Sequence, residues 1–106
     1  MTELSDATWA KIRQLFPAEH QPKVATILQN ECGNNLPFLE NADKDGLDRI
    51  RFAALKLSNG SLKELQEAVD LAKSDWRDLL VAAGFAHTVD AYKQWKISKA
   101  PSRPPR

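Results

Sequence analysis

The sequence contains one cysteine, Cys32, and two histidines, His20 and His87. A single thiol excludes a disulfide within the chain and any site that binds zinc through several thiolates. The sequence also has no His-x-x-x-His pair, no Cys-x-x-Cys pair and no glycine-rich phosphate loop. We therefore expect no metal ion and no cofactor.

Long apolar runs are also missing. No stretch approaches the ~18 consecutive apolar residues of a membrane-spanning helix. The polar start MTELSDATWAK lacks the apolar centre of a secretion signal. We expect a cytoplasmic protein. No segment shows the strict polar and apolar alternation of a half-buried strand, so the sequence favours helices throughout.

The composition is that of one globular domain. Of the 106 residues, 42% are apolar and 27% are charged, which is the usual balance of a folded protein. We place a single helical domain at residues 1–97. Residues 98–106, SKAPSRPPR, contain three prolines and nothing to bury, and we interpret them as a flexible basic tail.

Apolar residues recur three and four positions apart between helix start and stop signals. This pattern predicts an all-α fold, a compact array of about five or six short helices around a central helix at about 46–58. The other predicted helices occupy residues 5–16, a segment from about Pro22 to Gly33, and residues 61–73, 75–83 and 88–96.

The central segment GLDRIRFAALKLS is apolar on two sides. Phe52 and Leu55 point away from the face that carries Leu47 and Ile50. A helix that is apolar on two sides is usually packed on two sides. Only narrow polar strips remain, and they carry Asp48, Arg49, Arg51 and Lys56.

Short sequence signals predict the ends of the later helices. Asn59 or Gly60 is suited to the left-handed backbone that ends the central helix. The sequence Ser61-Leu62-Lys63-Glu64 reads as a capping box, and Ser74 reads as the N-cap of the following helix. Gly84 and Phe85 match a Schellman end, in which Phe85 contacts Leu80.

The segment ENADKDGLDRI resembles a calcium-binding loop in its first six positions, Asn41 to Gly46. In such a loop the eighth position is apolar and the twelfth is a glutamate that binds through both oxygens. Here those positions hold Asp48 and Phe52. The acids are better explained by a helix start, with Asp45 as the N-cap and Asp48 near the positive end of the helix dipole.

The segments RIRFAALKLSNGSLKELQEAV and WRDLLVAAGF resemble a small family of bacterial helical proteins that has no assigned activity. The resemblance covers roughly residues 31–96. It implies a helical fold and a bacterial cytoplasmic origin, and it assigns no functional residue.

Catalytic groups are scarce. A nucleophile needs a base within hydrogen-bond reach and a third group to orient that base. Cys32 and His20 would form such a pair only through a tertiary contact, and Cys32 at the edge of an amphipathic stripe is typical of a small apolar residue. His87 is interpreted as an exposed loop residue. The sequence thus favours a protein that is not an enzyme.

The three tryptophans invite a binding interpretation, because exposed aromatic side chains mark interfaces. Each tryptophan, however, shares an apolar stripe with a neighbour on its own helix, Trp9 with Ile12 and Trp76 with Leu79. Trp95 likewise shares a face with Tyr92. We expect all three in the core.

A non-catalytic interaction module or a small homo-oligomer requires the fewest assumptions. The loop residues Phe38 and Leu39, together with Val81 on the outer side of its helix, are apolar and not needed by the predicted stripes. With Arg77 they form the candidate interaction surface, and self-association is its simplest use.

Nucleic-acid binding is the alternative. Helices 61–73 and 75–83 could form a helix-turn-helix with Arg77 near the start of the recognition helix. Asp75 and Asp78 flank that arginine, and residues 1–90 hold 10 Lys or Arg against 14 Asp or Glu, a net charge of −4. The basic end has five candidate contacts and no acid: Lys93, Lys96, Lys99, Arg103 and Arg106.

Overall fold

The computed structural model describes residues 4–33, 44–87 and 91–95. Across these ranges the chain is helical and contains no strand, which confirms the predicted compact all-α class. The described elements are four α-helices and one short 3-10 helix: α1 Asp6–Leu15, α2 Gln21–Glu31, α3 Lys44–Ser58, α4 Leu62–Ala83 and the 3-10 helix Ala91–Gln94.

The count of four α-helices differs from the predicted five or six, because the helices predicted at 61–73 and 75–83 join directly at a kink and are described together as α4. The kink is at Asp75, whose φ of −164° and ψ of 108° are extended rather than helical. The Asp75 carboxylate accepts a hydrogen bond of 3.0 Å from the backbone N–H of Arg77. The sequence therefore indicated the break correctly but assigned the cap to Ser74, one residue too early.

The last predicted helix, at 88–96, is described only in part. The described part of this segment forms the 3-10 helix Ala91–Gln94, whereas residues 88–90 and 96 lie outside the described ranges. The predicted tail at 98–106 lies outside them as well.

The first two helices begin and end almost where the sequence predicts. The Ser5 hydroxyl accepts a hydrogen bond of 3.1 Å from the Thr8 N–H and caps α1. Pro22 stands in the first turn of α2, where a missing N–H costs nothing. α2 ends at a C-cap on Cys32, one residue before the predicted glycine stop.

α3 is buried on two sides, as the sequence predicts. Ile50 is 1% exposed on one face, and Phe52 and Leu55 are 4% and 0% exposed on the other. α3 packs most extensively against α4 and also contacts α1 and the 3-10 helix, while α2 lies against α1 and α4. Because α3 already includes Asp45, the predicted N-cap there is wrong. Residues 41–43 of the calcium-like sequence lie outside the described ranges.

The turn between α3 and α4 uses two residues in the left-handed region, Asn59 at φ 50° and Gly60 at φ 84°. The Ser61 hydroxyl accepts a hydrogen bond of 3.2 Å from the Glu64 N–H, which confirms one half of the predicted capping box. The Ser61 N–H instead donates to the Ser58 carbonyl at 2.9 Å. A Cβ on Gly60 would lie 2.9 Å from the Leu15 carbonyl oxygen, so this turn packs tightly against the end of α1.

α4 ends in the predicted Schellman motif. Gly84 adopts φ 81°, and its N–H donates to the Val81 carbonyl at 3.1 Å. The N–H of Phe85 donates to the Leu80 carbonyl at 2.9 Å. The motif turns the Phe85 side chain into the core, where it is 2% exposed.

Candidate functional site

The charged residues of α3, which the sequence places on narrow polar strips, bind the ends of other helices. Arg51 is the clearest case, because it is only 1% exposed and is the largest fully buried side chain among the described residues. Its Nε donates to the carbonyl of Cys32, the C-cap of α2, at 3.0 Å. Burial lowers the pKa of the guanidinium from its ordinary value. This arginine belongs to the interior and is unsuited to binding a ligand.

Two further cations of α3 bind the carbonyl groups where α4 ends. Arg49 donates to the Phe85 carbonyl through Nε at 3.1 Å and Nη2 at 2.7 Å. Lys56 Nζ donates to the Ala83 carbonyl at 2.8 Å. Carbonyl groups at a helix C-terminus have no partner within the helix and carry partial negative charge, so cations stabilise them. These basic residues therefore hold the fold together.

Cys32 and His20 do not form a nucleophile and base pair. His20 is the N-cap of α2 and Cys32 is its C-cap, so the rise of a helix separates their backbones by roughly 18 Å. Cys32 is fully buried, and desolvation raises the pKa of its thiol to about 12. The thiolate is the reactive form of cysteine, so the native thiol is inert.

Two other findings limit the chemistry of the described residues. Across residues 4–33, 44–87 and 91–95, no three His, Cys, Asp or Glu side chains are grouped so as to hold a metal ion. No helix in those ranges combines the length and apolar character needed to cross a membrane. His87, expected in a loop, is exposed after the end of α4.

The tryptophans, which the sequence predicts in the core, lie at its edge. Trp9, Trp76 and Trp95 are each partly buried and contact the buried cluster. The Trp95 ring meets Phe52 edge-on, with ring centroids 5.9 Å apart. Within the described part of the chain, the buried indole N–H of Trp76 has no hydrogen-bond acceptor.

A cleft of about 450 Å³ lies between α1, the first half of α3 and the 3-10 helix. Four of its lining residues are apolar or aromatic, Ala7, Ala10, Phe52 and Tyr92, and we call them its apolar floor; the other four are charged or polar. Its lining residues are Ala7, Ala10, Lys11, Gln14, Asp48, Phe52, Tyr92 and Lys93.

Lys11 lies at the aromatic end of this cleft. Its Nζ donates to the Trp95 carbonyl at 2.9 Å and stands 4.9 Å from the centre of the Trp95 ring. The same ammonium group is 5.7 Å from the centre of the Phe52 ring. A carbonyl group and aromatic faces favour a cation electrostatically, so these contacts fix the position of the positive charge in the cleft.

A second cation, Lys93, stands beside the cleft on the 3-10 helix. Its Nζ is 5.9 Å from the centre of the Tyr92 ring, and the residue is exposed. Lys93 is one of the candidate nucleic-acid contacts that the sequence indicates, and it lines this cleft. The other four candidates in the basic end, residues 96, 99, 103 and 106, lie outside the described ranges.

Asp48 positions the wall of the cleft. Its carboxylate accepts hydrogen bonds from the Ser5 hydroxyl, at 2.8 and 2.9 Å, and from the Thr8 hydroxyl at 3.0 Å. Both hydroxyl groups belong to the first turn of α1, and Ser5 is its N-cap. The sequence indicated a dipole contact within α3, whereas the carboxylate lies at the N-terminus of α1, where negative charge is also favourable.

The predicted interaction surface is described only in part. Val81 is 66% exposed, the one large apolar side chain so exposed among the described residues. Arg77 is exposed and pairs with Asp75, with Nε to Oδ1 and Nη2 to Oδ2 both at 2.9 Å. Phe38 and Leu39 lie outside the described ranges. That these four residues form one interaction surface therefore stays a prediction.

The cleft itself was missed by sequence reasoning. α1 contributes residues 7, 10, 11 and 14, which share a helix face by their spacing. That face is distinct from the buried stripe of Thr8, Ile12 and Phe16. The alanines gave a weak signal, because small side chains on a helix surface look neutral until another element approaches them.

Comparison of the chain with protein-family models, curated proteins and solved structures finds no match in any of the three. The resemblance to a bacterial family therefore stays a prediction.

Proposed function

We propose that this chain is a non-catalytic protein-interaction module that binds a segment of a partner protein in the cleft between α1, α3 and the 3-10 helix. The observation that carries the proposal is the cleft itself, which joins an apolar floor to charged groups at its edge. Its volume of about 450 Å³ lies within the usual range of binding pockets.

The polar groups of the cleft favour binding over catalysis because they are engaged in positioning. Asp48 holds the first turn of α1 through two hydroxyl groups. Lys11 is held by the Trp95 carbonyl. A rigid surface whose side chains are already fixed loses little conformational entropy when it binds a partner.

Site-specific photo-cross-linking in cells tests this proposal. We would replace the exposed cleft residue Gln14 with a photoreactive amino acid and use the exposed Lys63, on the first turn of α4, as the matched control position. We expect a discrete cross-linked partner from position 14 and none from position 63. Ala10→Trp, which fills the cleft, should remove that product. Equal products from both positions, or none from position 14, would contradict the proposal.

Self-association through the outer face of α4 is a second candidate, and the exposure of Val81 favours it. Arg77 and Asp78 lie beside it on the exposed side of the helix. A face that carries both signs of charge is self-complementary across a two-fold axis. Sedimentation velocity at micromolar concentrations should then show a dimer that Val81→Asp dissociates and Lys63→Asp does not. A strict monomer contradicts this candidate.

Nucleic-acid binding has less support. The guanidinium of Arg77 is held by the carboxylate of Asp75, so an acid stands where a phosphate would bind. The two parts of α4 are also separated by a single extended residue, Asp75, whereas a helix-turn-helix uses a turn of about three or four residues. Titration with oligonucleotides at ~50 mM and ~200 mM salt tests this alternative, because phosphate contacts weaken steeply with salt.

A further inference from the structure

We infer that the cleft between α1, α3 and the 3-10 helix takes an acidic amphipathic helix, whose apolar side chains meet the alanine floor and whose carboxylates face Lys11 and Lys93. This inference rests on the proposed function, since it names the chemistry of the partner segment that the cleft would bind.

The shape of the cleft suits a short length of helix. Ala7, Ala10 and Gln14 line it along α1, a distance of roughly 10 Å or two helical turns. Alanine methyl groups let another backbone approach closely. A partner helix that lies in such a groove inserts residues spaced three and four apart, and two turns admit two or three such anchors.

The charges around the cleft select an acidic partner. Lys11 and Lys93 both line it. Asp48 also lines the cleft, so its lining carries two positive charges and one negative charge, a net charge of +1. Complementary charge of this kind speeds association and excludes partners of the wrong sign.

A peptide fits the cleft better than a nucleic acid does. Single-stranded nucleic acids bind by stacking bases on exposed aromatic faces. The aromatic residues of the cleft, Phe52 and Tyr92, are only 4% and 3% exposed. Rings that are so deeply buried leave too little exposed face for a base to stack on. The apolar floor instead matches leucine-like side chains.

Three probes test the inference on the full chain, labelled with ¹⁵N and observed by NMR. The first is a synthetic 14-residue peptide, on the order of four helical turns, with leucines on one stripe and glutamates elsewhere. The second peptide has lysine in place of every glutamate, and the third probe is a single-stranded oligonucleotide. We expect only the acidic peptide to shift the amides of Ala7, Ala10 and Gln14, with half-saturation at about 100 µM or below.

A charge reversal on the exposed lysine of the cleft provides the sharper readout. Lys93→Glu should weaken binding of the acidic peptide by roughly tenfold, and it should favour the basic peptide. Lys63→Glu, an equal change of charge on α4 away from the cleft, should alter affinity by less than about twofold. Both positions are exposed, so circular dichroism and thermal unfolding should show an unchanged fold.

Three results would overturn the inference: no shift with the acidic peptide, equal binding of both peptides, or displacement from the same amides by the oligonucleotide. The failure of the inference is distinguishable from that of the proposed function. If a partner cross-links at position 14 but the acidic peptide does not bind, the cleft is a binding site for different chemistry. If position 14 yields no partner, the proposed function itself fails.

Discussion

Arg51 and Lys11 are two cations that make the same kind of bond in opposite surroundings. Arg51 donates to the Cys32 carbonyl at 3.0 Å, and Lys11 donates to the Trp95 carbonyl at 2.9 Å. The arginine is 1% exposed between α3 and the end of α2, whereas the lysine is partly exposed beside an open cleft. The surroundings, more than the bond, decide what each residue does.

The comparison shows how one chain separates stability from recognition. A buried cation has lost its hydration and depends on fixed carbonyl groups, so its removal leaves both a cavity and an unsatisfied acceptor. A cation at the edge of a cleft keeps part of its hydration and its charge acts on whatever enters. Substitution of the buried Arg51 should therefore mainly lower stability, whereas substitution of Lys11 at the cleft should mainly lower affinity for a partner.

The largest effect on stability is expected where Arg51 is buried. Arg51→Ala should lower the free energy of unfolding by about 3–5 kcal/mol, because it opens a cavity and leaves the Cys32 carbonyl without its donor. Urea unfolding followed by circular dichroism measures the change. Arg51→Met, which keeps most of the volume, should lose less. A loss below about 1 kcal/mol for the alanine variant would show that the buried arginine is not structural.

Gly60 and Gly84 allow the same comparison, because the space around Gly60 is tightly filled and the space around Gly84 is not. A Cβ on Gly60 meets the Leu15 carbonyl at 2.9 Å, whereas a Cβ on Gly84 meets only the flexible end of Lys56 at 3.8 Å. Both residues have positive φ, so each alanine variant carries strain of about 1 kcal/mol. Gly60→Ala should lose about 1–2 kcal/mol more than Gly84→Ala in thermal or urea unfolding. Equal losses would contradict the tight contact with α1.

A smaller effect on stability is expected at the cleft, where Lys11 is partly exposed. Lys11→Met keeps the aliphatic stem but removes the ammonium group, so it should lower stability by only about 1 kcal/mol. In the NMR titration, the same variant should bind the acidic peptide with clearly lower affinity, although its free energy of unfolding changes little. If Lys11→Met is strongly destabilised but still binds the acidic peptide, then Lys11 serves stability and not recognition, and the comparison with Arg51 fails.

The smallest effect concerns an ion pair that joins α2 to α4 in contact with solvent. Lys73 Nζ lies 2.6 Å from Glu31 Oε1, and this hydrogen bond lowers the pKa of Glu31 below its ordinary value of 4.5. The pair therefore stabilises the fold fully at pH values above 4.5. This contribution is lost as the pH falls through the lowered pKa. Because both side chains are substantially exposed, Glu31→Gln should lose less than about 1 kcal/mol at neutral pH.

Unfolding of the wild type and Glu31→Gln across the acidic range measures this effect. The two stabilities should converge as the pH falls, since protonation removes the charge that the variant already lacks. A constant difference at every pH would mean that packing rather than charge accounts for the contact. Lys73→Met should show the same convergence from the other partner.

Local signals in the sequence predicted the helices well, because caps, glycines and apolar spacing act within a few residues. Ser5, Pro22 and Gly84 fixed the ends of their helices as expected. The extended residue in α4 was placed one position early, since Ser74 and Asp75 are both good caps and only the hydrogen bond to Arg77 distinguishes them.

The buried arginine and the cleft could not be predicted in the same way. On a helical wheel Arg51 falls in a polar strip, and only the position of the end of α2 buries it. The cleft joins residues 7–14 to Tyr92 and Lys93, a long separation in sequence. Its existence depends on how three elements pack, which no local pattern records.

The inert thiol of Cys32 has a practical use. Because it is fully buried and its pKa is raised to about 12, a cysteine placed at an exposed cleft position would react with maleimide dyes while the native one stays unlabelled. Reaction of the native thiol itself requires the interior to open. The rate at which a disulfide reagent labels Cys32 would therefore measure how often the folded protein opens and exposes its core.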